Sequence, residues 1–186
     1  DKPASLTFVV ALDNGDPENI MDYRDEVFEL APPFNGTPKS IIKTQNRFSY
    51  IRWGNDSMAI AYDFWWNNRN RKAYLFNPLS SSSPPGIIED RNYQDRYSDP
   101  GRFASKKNKF GSYVLDIVND RVFLIGSGYT KNGQFPFIDE FSLITQEKKR
   151  IYQSTYTDKL ENISDYYPEK NQMLIRIESA TEYPNY

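Results

Sequence analysis

Short segments rich in β-branched and aromatic residues recur along this 186-residue chain, and turn-forming residues separate them. β-Branched and aromatic side chains favour strands, whereas the i, i+3, i+4 spacing of apolar residues that indicates an amphipathic helix is hard to find. Asn-Gly, Asp-Pro, Pro-Pro and serine-rich breaks between the segments are typical of turns. The sequence therefore predicts an all-β chain. The predicted strands span residues 6–12, 26–30, 39–44, 48–53, 57–66, 72–76, 86–90, 112–118, 121–126, 139–144, 149–154 and 172–179.

A repeat with a period of 46 residues runs through this strand pattern. The shift matches apolar and proline positions, namely Phe28 with Tyr74, Leu30 with Phe76 and Pro32 with Pro78. A third copy begins near residue 140 and places Phe141 in the position of Phe28. Repeats of roughly 40–50 residues with four short strands each are typical of β-propeller blades. The alternative is chance spacing in a β-sandwich, which also has a strand every ~8–12 residues.

Naming the four strands of each repeat A to D gives the chain a layout. Residues 6–12 form a B strand, and the C and D strands of the first repeat follow it. A full set of four strands spans residues 48–90, another spans about 101–154, and the chain ends with an A and a B strand near residues 172–179. The predicted fold is an all-β, partial β-propeller of about three to four blades of four-stranded antiparallel sheets. Residues 1–186 are predicted to form a single fragment of a larger propeller.

The chain begins without Met, and we therefore expect it to be a piece of a longer protein. The remaining blades of that protein would cover the strands at the two edges. Left uncovered, open blade edges favour self-association, because unpaired backbone groups pair readily with another chain.

The residue types that the chain lacks exclude several kinds of site. It has no Cys and no His, so disulfides, thiolate or imidazole metal sites and a Ser-His-Asp triad cannot be built from it. Lys plus Arg number 23 against 25 Asp plus Glu, so the chain lacks the strongly basic character of a nucleic-acid binder. No apolar run approaches the ~18 residues of a membrane span. We expect no cofactor, no metal, no nucleic-acid partner and no membrane span.

An aromatic and basic stretch at residues 61–76 has two interpretations. Side chains of its strand alternate between two faces, with Met58, Ile60, Tyr62, Phe64 and Trp66 on one and Ala59, Ala61, Asp63 and Trp65 on the other. Because propeller blades stack face to face, both faces would be largely buried, and residues 67–70 would form a turn. The alternative is an exposed platform of rings and cations for single-stranded nucleic acid or sugar. We favour the blade core, since a stacking site needs rings held at the surface.

Four long segments, in unbroken order, match one family of proteins. They are ALDNGDPENIMDYRDEVFEL (11–30), RFSYIRWGNDSMAIAYDFWW (47–66), DRYSDPG (95–101) and GSGYTKNGQFPFIDEFSL (126–143). These segments resemble the propeller of the glutamyl endopeptidase-like branch of the prolyl oligopeptidase family of serine peptidases. The resemblance implies a propeller that caps a separate α/β-hydrolase domain carrying a Ser-Asp-His triad. It also implies that the propeller restricts access, so that peptides rather than folded proteins reach the site.

The resemblance implies a catalytic parent protein, but this chain lacks the residues of the catalytic site. It contains no G-x-S-x-G nucleophile elbow, because Gly126, Ser127 and Gly128 have the wrong spacing, and it contains no His. We therefore expect no catalytic residue here, and a non-catalytic segment that caps the hydrolase domain of a serine peptidase. The expected partners are that α/β-hydrolase domain, the remaining blades of the parent chain and the peptide substrate. The alternative is an independent propeller-like interaction or carbohydrate-binding module. The sequence does not determine the compartment, and a soluble, periplasmic or secreted location is favoured.

Connectivity predicts which loops share one end of the propeller. Neighbouring strands of a blade are antiparallel, so B-to-C and D-to-A connections emerge on the same side. Residues 13–25, 67–70 and 128–137 are B-to-C loops, and residues 91–101 are a D-to-A loop. We expect this end to face the hydrolase domain and the substrate, through the loop residues Asp16, Arg69, Arg96, Asp99 and Lys131.

The charges of the D-to-A loop have two interpretations. An arginine here could attract an acidic peptide side chain. The alternative is that Asp95, Arg96 and Asp99 only fix the turn through hydrogen bonds and ion pairs within the loop.

Two other segments are interpreted as ordinary loops. Residues 13–19 lack the order of acidic residues that a calcium loop needs, and an Asx or Asp-Pro turn explains them. Residues 80–86 fall where the repeat places a C-to-D loop.

Overall fold

Strands make up nearly all of the regular structure. The computed structural model describes residues 5–80 and 84–186. Residues 81–83 of the predicted C-to-D loop at residues 80–86 therefore lie outside the described residues. Within the described residues the one helical element is a 3₁₀ turn at Pro168–Lys170, and no helix is long and apolar enough to cross a membrane. The all-β prediction is confirmed.

The strands, in chain order, are β1 (Leu6–Ala11), β2 (Asp25–Leu30), β3 (Lys39–Thr44), β4 (Arg47–Trp53), β5 (Ala59–Trp65), β6 (Asn70–Phe76), β7 (Gly86–Asn92), β8 (Arg102–Phe103), β9 (Ser105–Lys107), β10 (Tyr113–Leu115), β11 (Arg121–Gly126), β12 (Tyr129–Thr130), β13 (Gly133–Gln134), β14 (Phe137–Ser142), β15 (Lys148–Gln153), β16 (Leu160–Tyr167) and β17 (Gln172–Glu178).

The chain divides into two compact units between Gln94 and Asp95. The first unit holds a three-stranded sheet in the order β1-β2-β3 and a four-stranded sheet in the order β4-β5-β6-β7. Every neighbouring pair in these sheets is antiparallel. This is the predicted layout, B to D and then A to D, and it has the up-and-down connectivity of propeller blades.

The second unit holds a four-stranded sheet in the order β15-β14-β11-β8 and the hairpin β16-β17. In chain order, β8, β11, β14 and β15 are the A to D strands of this sheet. Two short hairpins interrupt it, β9-β10 between A and B and β12-β13 between B and C. The chain is thus a partial β-propeller, as the sequence predicts, and its organisation as a single domain stays a prediction.

Two strand predictions need correction. The sequence predicts one strand over residues 112–118, but only Tyr113–Leu115 form one, and it pairs with β9. Val118 forms an isolated bridge with Arg121 across a tight turn, which ends the extended run. The sequence pattern also misses β16 as a strand, because polar and acidic residues interrupt its apolar positions.

A β-bulge at a common place in three sheets confirms the repeat. The register between the C and D strands shifts directly after Val27 in the first sheet and directly after Ala73 in the second, 46 residues later. In the third sheet the shift follows Ile138. The sequence alignment of the third copy is therefore two residues off, because Asp139 rather than Phe141 occupies the bulge position. An alignment based on apolar character does not match the acidic Asp139 with Phe28 and Tyr74 of the other copies.

The two sheets of the first unit pack on a shared buried cluster, made of Val27, Ile41, Ile42, Ala59, Ala61, Tyr74 and Phe76. In the second sheet each ring of this cluster pairs with an alanine of the neighbouring strand, Ala59 with Phe76 and Ala61 with Tyr74. A small side chain beside a large one lets the facing layers interdigitate without voids. The apolar residues of β2, β3, β5 and β6 thus hold one sheet against the next.

The aromatic stretch is only partly core. Residues 59–63 of β5 are all buried, which fits the blade-core interpretation. Phe64 is 38% exposed and Trp66 is 65% exposed, which contradicts it for the end of the stretch. Phe64 pairs with Arg47 on one side and Arg71 on the other, so its surroundings are charged, and Trp66 lies beyond the last residue of β5.

Asp63, the last buried residue of β5, accepts hydrogen bonds from several groups. Its carboxylate receives the backbone N–H and the side-chain amide of Asn46 at 2.9 and 3.0 Å, the backbone N–H of Lys72 at 3.1 Å, and the Tyr74 hydroxyl at 2.7 Å. Burial and the hydrogen bond to Asp63 raise the pKa of Tyr74 well above its usual range, so the hydroxyl stays a donor. One carboxylate thus joins β5, β6 and the turn that leads into β4.

Replacing Asp63 with Ala removes this shared acceptor and leaves buried donors without a partner. We expect the first unit to lose about 2–3 kcal/mol of free energy of unfolding. The three tryptophans of the chain, Trp53, Trp65 and Trp66, all lie in this unit, so tryptophan fluorescence during urea unfolding reports on it alone. Asp22→Ala, at an exposed loop position, is the matched control and should change stability by less than about 0.5 kcal/mol. An Asp63→Ala chain as stable as the control would refute the assigned role.

Candidate functional site at the loop ends of the sheets

The B-to-C loop of the first sheet is held at its base by a buried ion-pair network. Asp13 is 1% exposed and accepts hydrogen bonds from Arg24 at 2.8 Å, from Arg47 at 2.6 Å and from the backbone N–H of Gly15 at 3.0 Å. The Arg47 guanidinium also donates to Asp25 at 2.8 Å. Because Arg47 begins β4, the network ties the loop of one sheet to the first strand of the next.

The electrostatics of this network favour the charged forms. Burial acts to raise the pKa of Asp13, but the hydrogen bonds from Arg47 and Arg24 outweigh it, and the pKa lies below the ordinary value of 3.8. Burial acts to lower the pKa of Arg47, and the pairing with Asp13 and Asp25 outweighs it, so that this pKa is raised. Both residues are therefore ionised at neutral pH.

Two arginine–tryptophan stacks lie at the same end of the first unit. The Arg24 guanidinium lies 3.9 Å from the centroid of the Trp65 ring, which places the B-to-C loop of the first sheet beside the end of β5. Arg69 lies 3.7 Å from the centroid of the Trp66 ring and donates to the Trp66 carbonyl at 2.5 Å. Cation–π contacts of this kind hold a guanidinium in place without neutralising it.

In the second unit, the D-to-A loop lies against the β12-β13 hairpin. Arg96 lies 4.9 Å from the centroid of the Tyr129 ring in that hairpin. Asp95 accepts the backbone N–H of Tyr97 at 2.9 Å, and Asp99 accepts that of Gly101 at 3.0 Å. These hydrogen bonds fix turns, as one of the two interpretations of this loop states.

The surroundings of Gly101 constrain the backbone conformation at the end of this loop. Its φ is +89°, and a Cβ at this position would lie 2.3 Å from the Ile125 carbonyl oxygen. Only glycine combines that backbone conformation with so close an approach. The loop therefore enters β8 in one fixed conformation, with Asp99 bonded to the glycine N–H.

The five residues predicted from the sequence fall into different surroundings. Asp16 is exposed and accepts the backbone N–H of Glu18 at 2.9 Å, so that it fixes a turn as Asp99 does. Arg69 and Arg96 both stack on a ring, and neither forms an ion pair with another described residue. Lys131 is exposed in the turn between β12 and β13. Asp16 and Arg69 lie in the first unit and the other three in the second.

An open groove in the second unit is not predictable from the sequence pattern. It has a volume of about 440 Å³ and is lined by Asn132, Gly133, Gln134, Phe135, Tyr156, Thr157, Asp158, Lys159, Leu160, Glu178, Ser179 and Ala180. These residues come from the B-to-C loop of the third sheet, from the connection between β15 and β16 with the first residue of β16, and from the last residue of β17 with the segment that follows it. The groove thus lies at the loop end of this unit. No signal in the sequence brings three such distant segments together.

No group of three or more acidic, His or Cys side chains could hold a metal ion among residues 5–80 and 84–186. The absence of a metal and of a cofactor stays a prediction.

Two curated plant proteins match the chain over its whole length. It is 33% identical over 202 aligned residues to a protein of Oryza sativa subsp. japonica, and 32% identical over 203 to one of Arabidopsis thaliana. Both are named "Probable glutamyl endopeptidase, chloroplastic", and the chain spans only 22% and 21% of their lengths. No protein-family model matches the chain. The chain is a β-propeller segment related to part of these larger proteins, which confirms the resemblance to the glutamyl endopeptidase-like peptidases.

Acid should weaken the contribution of Asp13 to stability. A carboxyl group whose pKa is lower in the folded than in the unfolded state stabilises the fold above its unfolded pKa, and this contribution is lost as the pH falls through the folded pKa. Asp13→Asn should therefore lower the urea midpoint of the first unit at pH 7, and its difference from the wild type should shrink below about pH 3.8. Tryptophan fluorescence during urea unfolding measures the midpoint at each pH and its difference from the wild type. Asp22→Asn, an exposed position in the same loop, is the control. A deficit that stays constant down to pH 2 would contradict the ion-pair role.

Proposed function

We propose that this chain is a non-catalytic propeller segment of a glutamyl endopeptidase-like serine peptidase, and that it caps a hydrolase domain and restricts access to peptide substrates. The observation that carries the proposal is the match of the whole chain to a fraction of two larger proteins named as glutamyl endopeptidases. The hydrolase domain, the remaining blades and the peptide substrate are the proposed partners.

The residue content of the chain supports a non-catalytic role. It has no His and no Cys, so neither an imidazole base nor a thiol nucleophile is present, and its one Gly-Ser-Gly sequence lies at the end of β11 without the spacing of a nucleophile elbow. Catalysis by the longer protein would then depend on residues outside 1–186. The purified chain should not hydrolyse glutamyl peptides.

The fixed loops support a substrate-facing role for one end of each unit. Buried ion pairs and Asx turns hold the loops in place, so that charged side chains on them are presented with little loss of conformational freedom on binding. Arg69 and Arg96 are the candidates for contact with an acidic peptide, because each guanidinium is held by a ring and forms no ion pair with another described residue.

Replacing Arg96 with Ala in the full-length protein tests this role. If the guanidinium attracts acidic peptides, kcat/KM for a peptide with Glu at the cleavage position should fall about 5- to 10-fold, which corresponds to roughly 1–1.4 kcal/mol. Turnover of the matching peptide with Gln should change little. Steady-state hydrolysis of both peptides, with the melting temperature of each variant, gives the answer.

Lys148→Ala is the matched control, since Lys148 is an exposed cation beside the C-to-D turn of the third sheet. Unchanged turnover of both peptides by Arg96→Ala, together with a lower melting temperature, would leave Arg96 only a structural role.

A further inference from the structure

Three segments build the groove of the second unit, and hydrogen bonds hold each of them. In the segment after β17, the Ser179 N–H donates to the Glu182 carbonyl at 3.2 Å. In the β12-β13 hairpin the Phe135 N–H donates to the Gly128 carbonyl at 2.8 Å, and the Thr130 hydroxyl donates to the Gly133 carbonyl at 2.9 Å. Behind the segment 156–160, Ser154 donates its N–H to the Pro136 carbonyl at 2.8 Å. The groove is therefore present before any ligand binds, which lowers the entropic cost of binding.

A buried carboxylate next to the segment 156–160 helps to fix its position. Glu161 is 1% exposed and accepts hydrogen bonds from the Tyr152 hydroxyl at 2.7 Å and the Ser154 hydroxyl at 3.0 Å. These contacts join the start of β16 to the end of β15, directly beside the lining residues Tyr156 and Leu160.

The lining combines apolar surface with amide groups. Tyr156 is 43% exposed and Leu160 is 42% exposed, and Phe135 is half-buried beside them. Asn132 and Gln134 each carry a donor and an acceptor on one side-chain amide, the combination that a peptide group can satisfy on both sides. A volume of about 440 Å³ lies within the range of sites that bind small ligands and short segments.

Two of the three charged residues in the lining form ion pairs. Lys159 is paired with Glu182 at 2.7 Å, and Glu178 is paired with Arg176 at 2.8 Å. Asp158 is exposed and interacts electrostatically with the neighbouring Lys159, but it forms no ion pair with another described residue. Lys131 lies in the hairpin turn next to Asn132 but is not part of the lining. The lining itself carries two carboxylates, Asp158 and Glu178, against one ammonium, Lys159, so its net charge is negative.

We propose that this groove binds a short peptide segment and that the Asp158 carboxylate makes it prefer a basic over an acidic side chain. The choice of a peptide as ligand rests on the proposed function, whereas the preference rests on the charges of the groove. Apolar side chains of the segment would pack on Tyr156, Phe135 and Leu160, and the side-chain amides would bond to its backbone. In a glutamyl peptidase, this groove would contact a part of the substrate other than its glutamate.

The test uses the 186-residue chain, labelled with ¹⁵N, and two blocked pentapeptides. One is Ala-Leu-Lys-Leu-Ala and the other has Glu in place of Lys. Titration followed by amide chemical shifts should show the Lys peptide moving resonances of residues 132–135 and 156–160, with an affinity about three- to fivefold higher than that of the Glu peptide, as a single exposed ion pair allows. The preference should shrink in high salt, because exposed charges are screened.

Asp158→Asn should abolish the preference for the Lys peptide, and Tyr156→Ala should weaken the binding of both peptides. Glu147→Gln is the matched control, because it removes a negative charge from the C-to-D turn of the third sheet, between β14 and β15. It should keep the preference for the Lys peptide. The proposal is overturned if neither peptide moves these resonances, if the Glu peptide binds as well as the Lys peptide, or if Asp158→Asn keeps the preference. Maltotriose moving them while neither peptide does would also overturn it, in favour of a sugar site.

This experiment separates the groove from the proposed function. Peptide binding is measured without any hydrolase domain, so its failure leaves the Arg96 result on the full-length enzyme intact. Conversely, a loss of the Arg96 effect would not change the peptide titration.

Discussion

Buried carboxylates that each accept several hydrogen bonds hold the loop ends of these sheets. Apolar contact between sheet faces is strong but has no direction, so it cannot by itself fix where a strand ends or how a loop leaves it. Asp13, Asp63 and Glu161 supply that direction, because each is 1% exposed or less and binds groups from more than one strand or loop. A buried charge is tolerated when hydrogen bonds replace the water that it has lost.

The loops that these carboxylates fix carry two kinds of polar side chain. Aspartates such as Asp16 and Asp99 accept backbone N–H groups of their own turns, and that role accounts for their positions. The arginines Arg69 and Arg96 instead rest on aromatic rings, and neither forms an ion pair with another described residue. Sequence reasoning placed all four in one class of candidates. In the structure the two aspartates fix their own turns, whereas the two arginines contact aromatic rings.

The strand pattern was predictable because strands such as β5 and β11 are buried along most of their length, so their apolar segments stand out against the turns. The pattern failed at β16, where Glu161 is buried because it accepts hydrogen bonds from Tyr152 and Ser154, and polarity alone does not predict such burial. It also failed at Phe64 and Trp66, where aromatic character suggested core but the neighbouring charges and the strand end leave the rings exposed. The groove could not be predicted, since its three segments meet only in the folded sheets.

The second unit carries two opposite charges at its loop end. Arg96 lies on the Tyr129 ring with its guanidinium free of ion pairs to other described residues, and Asp158 lines the groove with its carboxylate likewise unpaired. A peptide with an acidic and a basic residue at the matching separation would satisfy both charges in one orientation and neither in the other, because reversing it brings like charges together. If both proposals hold, the propeller segment would not only limit the size of the substrate. It would also favour one direction of the chain as the peptide enters, which a simple steric cap cannot do.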